Sequence, residues 1–327
     1  MQQALYDPRW GYYGSGPRRL GRHGDFYTAV QAGPLYGQLL AQWAMQLASN
    51  LPRPGDMHLI EQGAHDGQLA RDILQHCDLP YIIIEPQPAM RAAQQSQLAA
   101  FAGRVHWLDH IGQLGGQPAL FVANELLDAF AVHRVQWTQG RWQEMGVGAD
   151  ESGTLHWTLM DPCPALSPTL NRWTGPYLEG QCAEVNLAAE AWIEELSRSP
   201  FRGWIMLADY GMEEEQLLSP ERPQGSLRRY TQHRCDQELL EQLGECDLTS
   251  HVNFTQLRRC ATAAGLQVED EQPQGIFLTR LAKPWLSTLE GTPPGAAQAA
   301  LLRQFQTLTH PAHMGSAFRV LVLRRGV

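Results

Sequence analysis

The sequence predicts an open α/β sheet of mostly parallel strands with helices on both faces. Four short, nearly continuous apolar runs, 57–61 (MHLIE), 80–85 (PYIIIE), 119–123 (ALFVA) and 204–209 (WIMLAD), have the composition of strands covered on both sides. Segments with helical apolar spacing lie between them, which makes right-handed βαβ units. Each run ends at a polar or acidic residue, at the edge where such a sheet presents its binding loops.

Residues 34–49 (PLYGQLLAQWAMQLAS) read as an amphipathic helix before the first strand. Helices at 67–76 and 88–101 follow the first and second strands. Residues 131–183 break the rhythm. They are rich in Trp, Gly and Pro, with strand-like "HRVQWTQGRWQEM" around a Gln-Gly turn and a loop at "DPCPALSP". This is expected to be an insertion packed over the strand ends, a substrate-binding region between a first half at 1–130 and a second at 184–327. A helix at 184–197 leads into the fourth strand, and 212–250 form a second irregular excursion. A helix at 253–264 has Asn253 as N-cap and Gly265 as its stop. Residues 275–282 (GIFLTRLA) and 317–325 (AFRVLVLRR) read as two late strands, at least one antiparallel, with a helix at about 295–308 between them.

The 327 residues are 43% hydrophobic and 18% charged, which marks a globular chain. A net charge of −9 disfavours nonspecific binding to nucleic acid or anionic membrane, and the basic "RRLGRHG" at 18–24 reads as a solvated loop. No apolar run approaches the ~20 residues of a membrane span, so no membrane insertion is expected. The N-terminus lacks a cationic region followed by an apolar one, so a bacterial host would keep the chain in its cytoplasm. The six cysteines show neither CxxC nor Cys/His ligand spacing, so reduced thiols and no metal are expected.

"HLIEQGAHDGQLA" at 58–70 is a strand breaking through a glycine-containing loop into a helix. Many α/β proteins have such a turn and no cofactor, so the turn alone decides little. Three features add weight. Glu85 ends the second strand 24 residues after Glu61, the spacing at which an acid takes ribose hydroxyls. Asn124, Glu125 and Asp128 follow the third strand, and Asp209-Tyr210-Gly211 follow the fourth. All these loops leave one sheet edge. The loop lacks the third glycine of GxGxxG, and a pyrophosphate needs close backbone N–H groups. S-adenosylmethionine (SAM) has no phosphate and carries a sulfonium cation. A crevice ringed by Glu61, Glu85, Asp128 and Asp209 therefore suits SAM better than NAD.

The segments "ALYDPRWGYYG" (4–14), "GDFYTA" (24–29), "EQGAHDGQLARDIL" (61–74), "NELLDAF" (124–130), "LADYG" (207–211), "GSLRRYTQH" (225–233) and "DLTSHVNFTQL" (247–257) occur in order. Together they resemble the MidA family of SAM-dependent methyltransferases, which includes a mitochondrial complex I assembly factor. The resemblance runs from residue 4 to about 282. It implies a Rossmann-like seven-stranded methyltransferase fold with an inserted substrate-binding region. It also implies ω-N methylation of a protein arginine, and a respiratory complex I subunit as a partner. The family's first loop is close to E-x-G-x-G-x-G-x-L. Gly63 and Gly67 match, but His65 replaces the middle glycine. Histidine tolerates left-handed backbone better than most residues, so the turn can persist, while its imidazole crowds the methionine end of SAM. The chain also starts within what resembles the family's first helix.

Transfer to arginine needs a carboxylate that holds the always-charged guanidinium as a fork. Glu125 is the first candidate and Asp128 the second, on one face at i, i+3 if the chain turns helical after Asn124. The plainer alternative is that Asn124 caps that helix and Glu125 favours its dipole. Asp25 is a cofactor contact or a turn former. Together with Glu61, Gly63, His65, Gly67, Glu85 and Asn124 it makes up the candidate cofactor set. Asp209, Tyr210, Arg228, His233 and His251 are candidate substrate contacts, with bracing favoured for His251. Trp137, Trp142, Trp157 and Trp173 line a channel or, by default, pack a core. The leading reading is a SAM-dependent methyltransferase acting on a protein side chain, with arginine first. The rivals are an inactive homologue serving as an assembly partner, which His65 favours, and an NAD-binding oxidoreductase. A homodimer is left open.

Overall fold

The protein is described by a computed structural model covering residues 1–14, 28–231, 234–289 and 295–326. In chain order its helices and strands are α1 (Gln2–Tyr6), α2 (Leu35–Ser49), β1 (His58–Gln62), α3 (Gln68–Leu74), β2 (Tyr81–Ile84), α4 (Pro88–Gln97), β3 (Val105–Leu108) and β4 (Pro118–Asn124). There follow β5 (His133–Thr138), β6 (Arg141–Ala149), β7 (Leu155–Met160), α5 (Ser167–Leu170), β8 (Cys182–Val185), α6 (Leu187–Arg198), β9 (Arg202–Met212) and α7 (Glu214–Leu217). The remainder are β10 (Arg228–Thr231), β11 (Arg234–Asp236), β12 (Asp247–Thr249), β13 (Val252–Asn253), α8 (Phe254–Ala263), β14 (Gln267–Pro273), α9 (Gln274–Ser287), α10 (Ala296–Thr309) and β15 (Phe318–Arg325).

The main sheet runs β3-β2-β1-β4-β9-β15-β14, and the short β13 pairs with the end of β9. All neighbours among β3, β2, β1, β4 and β9 are parallel, and β15 is antiparallel to both β9 and β14. Alternation along each strand splits the core in two. Leu59, Leu120, Val122, Trp204 and Met206 face α2, α3, α9 and α10. Ile60, Phe121, Ala123, Ile205 and Leu207 face α6 and α8. Full burial of each such side chain is worth about 1.5–3 kcal/mol, which is why the apolar runs were readable as strands. The Asn253 side chain accepts from the Gln256 N–H and caps α8, as expected.

Strand order reverses between β1 and β4, so the loops leaving their C-terminal ends diverge and open a crevice. Two further sheets stand beside it: β7-β6-β5-β8 within residues 133–185, and β11-β10-β12 within 228–249. The N-terminal segment closes one flank. The Tyr6 hydroxyl donates to the Ala129 carbonyl at 2.9 Å, and the Tyr13 hydroxyl donates to Asp247 Oδ2 at 3.0 Å.

Three expectations are corrected. Residues 275–282 are not a strand but lie inside the helix α9, and the true neighbour of β15 is the polar β14. The segment 184–197 begins as strand β8 before becoming α6. The chain does not turn helical after Asn124, so Glu125 and Asp128 are not an i, i+3 pair on a helix and Asn124 caps nothing. Of the tryptophans, Trp137, Trp142 and Trp173 pack edge-on in the core of the β7-β6-β5-β8 sheet, with Trp142 5.4 and 5.3 Å from its neighbours, and Trp157 packs against the cluster of Leu5, Tyr12 and Leu248, in line with the default of core packing. No described helix is long and apolar enough to cross a membrane.

Candidate active site

The first wall of the crevice is the loop after β1. Gly63 and Gly67 have φ of +85° and +88°, a region that favours glycine. A Cβ on Gly63 would lie 3.3 Å from Leu126 Cδ1, and one on Gly67 3.3 Å from Leu98 Cδ1. His65 has φ +47°, so histidine does adopt the left-handed geometry of the glycine it replaces. Its carbonyl accepts from Gln94 Nε2 at 2.9 Å, which holds the turn against α4. Both ring nitrogens are enclosed with no hydrogen-bond partner, and Asp66 Oδ1 stands 3.7 Å from Nδ1. Against desolvation, the Asp66 carboxyl is lowered by this imidazole, so the two side chains interact within the loop.

Two acids frame this loop. Glu61 is buried on β1, where Oε2 accepts from the Tyr81 hydroxyl at 2.8 Å. Burial pushes its carboxyl up to about 7. Glu85, buried just past β2, accepts from the Gln87 N–H at 2.9 Å and from Gln94 Nε2 at 3.0 Å. Desolvation raises it too, against the pull of Arg91.

The second wall is the loop after β4. The Tyr36 hydroxyl on α2 donates to Asn124 Oδ1 at 2.7 Å. Glu125 has φ +52°, and its Oε1 accepts from the Ala29 N–H at 2.9 Å and from Asn124 Nδ2 at 3.2 Å. Desolvation lifts its carboxyl to about 8. Asp209 lies under the loop. Its Oδ2 accepts from the N–H groups of Leu127 at 3.0 Å and Asp128 at 3.3 Å, and its Oδ1 from Tyr210 at 2.9 Å. Asp209 therefore builds the loop that presents Glu125 and Asp128. Asp128 and Asp209 are both raised by burial, Asp209 further by its acidic neighbours.

Beyond this loop opens a cavity of about 1040 Å³. Glu125, Asp128, Tyr210, Thr249, His251 and Arg222 are among its lining residues. Asp128, the Tyr210 hydroxyl and Thr249 Oγ1 form a buried polar chain there, and His251 Nδ1 is enclosed beside it without a hydrogen-bond partner. His251 packs edge-on against Tyr210 at 5.1 Å. Burial, with Arg222 and Arg228 nearby, lowers its imidazole to about 4, so the ring is neutral at pH 7.

The structure thus gathers Glu61, Gly63, His65, Gly67, Glu85, Asn124 and Glu125 along the crevice, and Asp128, Tyr210 and His251 around the cavity. Arg228 does not line the cavity, and its Nη1 donates to the Leu227 carbonyl. Asp25 and His233 lie outside the described residues. Sequence reasoning missed Ala29, Tyr36, Gln94, Thr249 and Arg222, which reach the site from elements distant in the chain. Away from the site, β5, β6 and the loop after β7 bring His133, Glu144 and Cys163 within 4.8 Å of one another, although no ligand spacing joins them. Both Glu144 oxygens are engaged, one with His133 Nδ1 at 2.6 Å and one with the Cys163 N–H at 2.8 Å, so the trio pins a loop.

Five acids, Glu61, Glu85, Glu125, Asp128 and Asp209, converge on this edge. All are raised, and none forms an ion pair among the described residues. A cation entering beside such desolvated carboxyls would stabilise their ionised forms, so the edge suits a ligand with cationic groups. The glycine cradle and the acids around it fit a cofactor with a sulfonium and an ammonium group.

Comparisons agree. A family model described as "Putative S-adenosyl-L-methionine-dependent methyltransferase" matches residues 39–272. The chain is 26% identical to the protein arginine methyltransferase NDUFAF7 homolog of Drosophila melanogaster, across 100% of this chain and 80% of that protein. It is 24% identical to human NDUFAF7, across 99% and 78%. A COG1565 superfamily protein from Burkholderia thailandensis, solved bound to S-adenosyl-homocysteine, superposes with a TM-score of 0.88 at 28% identity, across 100% of this chain and 86% of that one. The seven-stranded order and the inserted sheet are those of a SAM-dependent methyltransferase, SAM is the cofactor, and the chain belongs to the MidA/NDUFAF7 family.

Proposed function

We propose that the protein methylates an ω-nitrogen of arginine in a protein substrate, of respiratory complex I type, and that the crevice and cavity divide the work. The observation that carries this reading is that two desolvated carboxyls, Glu125 and Asp128, line the cavity and form no ion pair among the described residues. The names of the relatives, protein arginine methyltransferases, support it. The complex I target rests on the family resemblance and not on the cavity.

Gly63, His65, Gly67, Glu61, Glu85 and Asn124 would hold SAM, which supplies a methyl group activated by its sulfonium. Glu125 takes the guanidinium as a fork and fixes which nitrogen faces the methyl. Asp128, Tyr210, Thr249 and the neutral His251 line the cavity with oxygen and nitrogen atoms, and a guanidinium offers five donors and no acceptor. The attacking nitrogen gives up one proton as it gains the methyl. Glu125, ionised by the guanidinium it holds, is placed to receive it. Asp209 is a positioning residue that keeps the 125–128 loop in place.

The test is incubation of the purified protein with methyl-labelled SAM and a bacterial lysate, followed by acid hydrolysis and chromatography of the labelled amino acids. Label in ω-N-methylarginine that disappears with Glu125→Gln is the expected result. Label in another amino acid, or none with a protein that binds SAM, overturns the arginine assignment.

A further inference from the structure

A second groove of about 750 Å³ adjoins the candidate active site, and the two share Pro273 and Ser316 in their linings. Its walls are one face of α9 and the turn at 311–315. Its floor is a close backbone crossing. A Cβ on Gly275 would lie 2.4 Å from the Thr309 carbonyl oxygen, and one on Gly315 2.0 Å from the same atom. The Gln274 side chain donates to the Leu308 carbonyl at 3.1 Å, which ties α9 to α10. The groove is therefore preformed.

Its chemistry is distinct from that of the cavity. Ile276, 58% exposed, and Leu286 give it an apolar strip. Its charged lining groups are Arg280 and Lys283, with no acid among the described lining residues. Arg280 is partly spent on Asp270 at 2.5 Å. Lys283 is exposed, forms no ion pair among the described residues, and is the only lysine in the sequence.

We infer that this groove docks an extended peptide segment of the substrate protein that carries an apolar and an acidic side chain, continuous with the segment whose target side chain enters the cavity. The inference rests on the protein-methyltransferase reading above. Continuity through Pro273 and Ser316 argues for a chain that runs from one site to the other. The apolar strip beside an unpaired ammonium sets the chemistry of its flank.

The test is fluorescence anisotropy with the intact protein saturated with S-adenosyl-homocysteine. The ligands are fluorescein-labelled dodecapeptides with a central arginine, flanked on either side by Leu and two Asp or by Leu and two Lys. The acidic-flank peptide is expected to bind about tenfold tighter than the basic one, with Lys283→Glu reversing the preference and Ile276→Asp weakening both. Both variants should bind S-adenosyl-homocysteine like the natural protein, which shows that they fold. Equal affinity for the two flanks, or no effect of either substitution, overturns the groove. Replacing the central arginine by citrulline separates the two claims. If citrulline peptides bind as well as arginine peptides and still respond to Lys283→Glu, the groove stands and the arginine reading falls. If arginine peptides are methylated irrespective of flank, the reverse holds.

Discussion

Glu125→Gln is the most informative single change. Burial holds the Glu125 carboxyl from an ordinary 4.5 up to about 8. The unfolded chain releases this proton through the ordinary value, whereas the folded chain keeps it until about 8. Between those values the unfolded state binds fewer protons, so this group's contribution to stability is lost as pH rises through the window. The full span corresponds to roughly 5 kcal/mol, and water access to a partly enclosed side chain brings the expected effect to about 2–3 kcal/mol. Glutamine is isosteric, and its Oε1 can still accept from the Ala29 N–H and Asn124 Nδ2, so the variant mimics the protonated acid. Urea unfolding of ligand-free protein at pH 5, 6.5 and 8 is the assay. The two proteins should match at pH 5, and the variant should be more stable by about 2–3 kcal/mol at pH 8. A variant no more stable at pH 8 than at pH 5, relative to the natural protein, would refute the assignment of Glu125 as a desolvated acid.

Three other outcomes follow from the same geometry. Asp209→Ala removes the acceptor of the Leu127, Asp128 and Tyr210 N–H groups and should cost roughly 2–4 kcal/mol in urea melts, with methyl transfer lost more steeply than SAM binding. Gly67→Ala, at φ +88° and with Leu98 Cδ1 3.3 Å from the new Cβ, should cost about 1–2 kcal/mol and weaken SAM binding. Arg258→Ala breaks contacts with Glu213 at 2.7 Å and Glu271 at 2.6 Å. Arg258, with Thr255 and Arg319, depresses the Glu213 carboxyl to about 2, a contribution present above the ordinary carboxylate range and lost as pH falls through the folded value. The natural protein should therefore lead this variant at pH 7, and the gap should narrow towards pH 2.

Much of the fold was legible because parallel strands buried on both faces must be apolar throughout, as "YIII" at 81–84 and "ALFVA" at 119–123 are. The same logic failed where burial is one-sided. β14 (QVEDEQP) sits beside β15 at the sheet edge and carries acids, so it did not read as a strand. "GIFLTRLA" is an apolar run whose length does not separate a strand from a buried helix, and the strong packing of Phe277 and Leu278 on α2's face decided for helix. Within the site, the left-handed turn at His65 was foreseeable from the glycines around it. The left-handed Glu125 was not, because its conformation is set by Asp209 and Ala29, which are 84 and 96 residues away in the chain. The cavity's lining by Thr249 and Arg222 likewise depends on how the 212–250 excursion folds back, which no local pattern encodes.

The most direct test of the account is calorimetric titration of SAM into the natural protein at pH 7, in two buffers with different ionisation enthalpies, with His65→Gly measured in parallel. A crevice of desolvated, partly protonated acids predicts that the natural protein binds SAM and releases protons as it does so, because the cation draws Glu61 and Glu85 towards their ionised forms. Failure of the natural protein to bind while His65→Gly binds, or binding with no proton released, would contradict it.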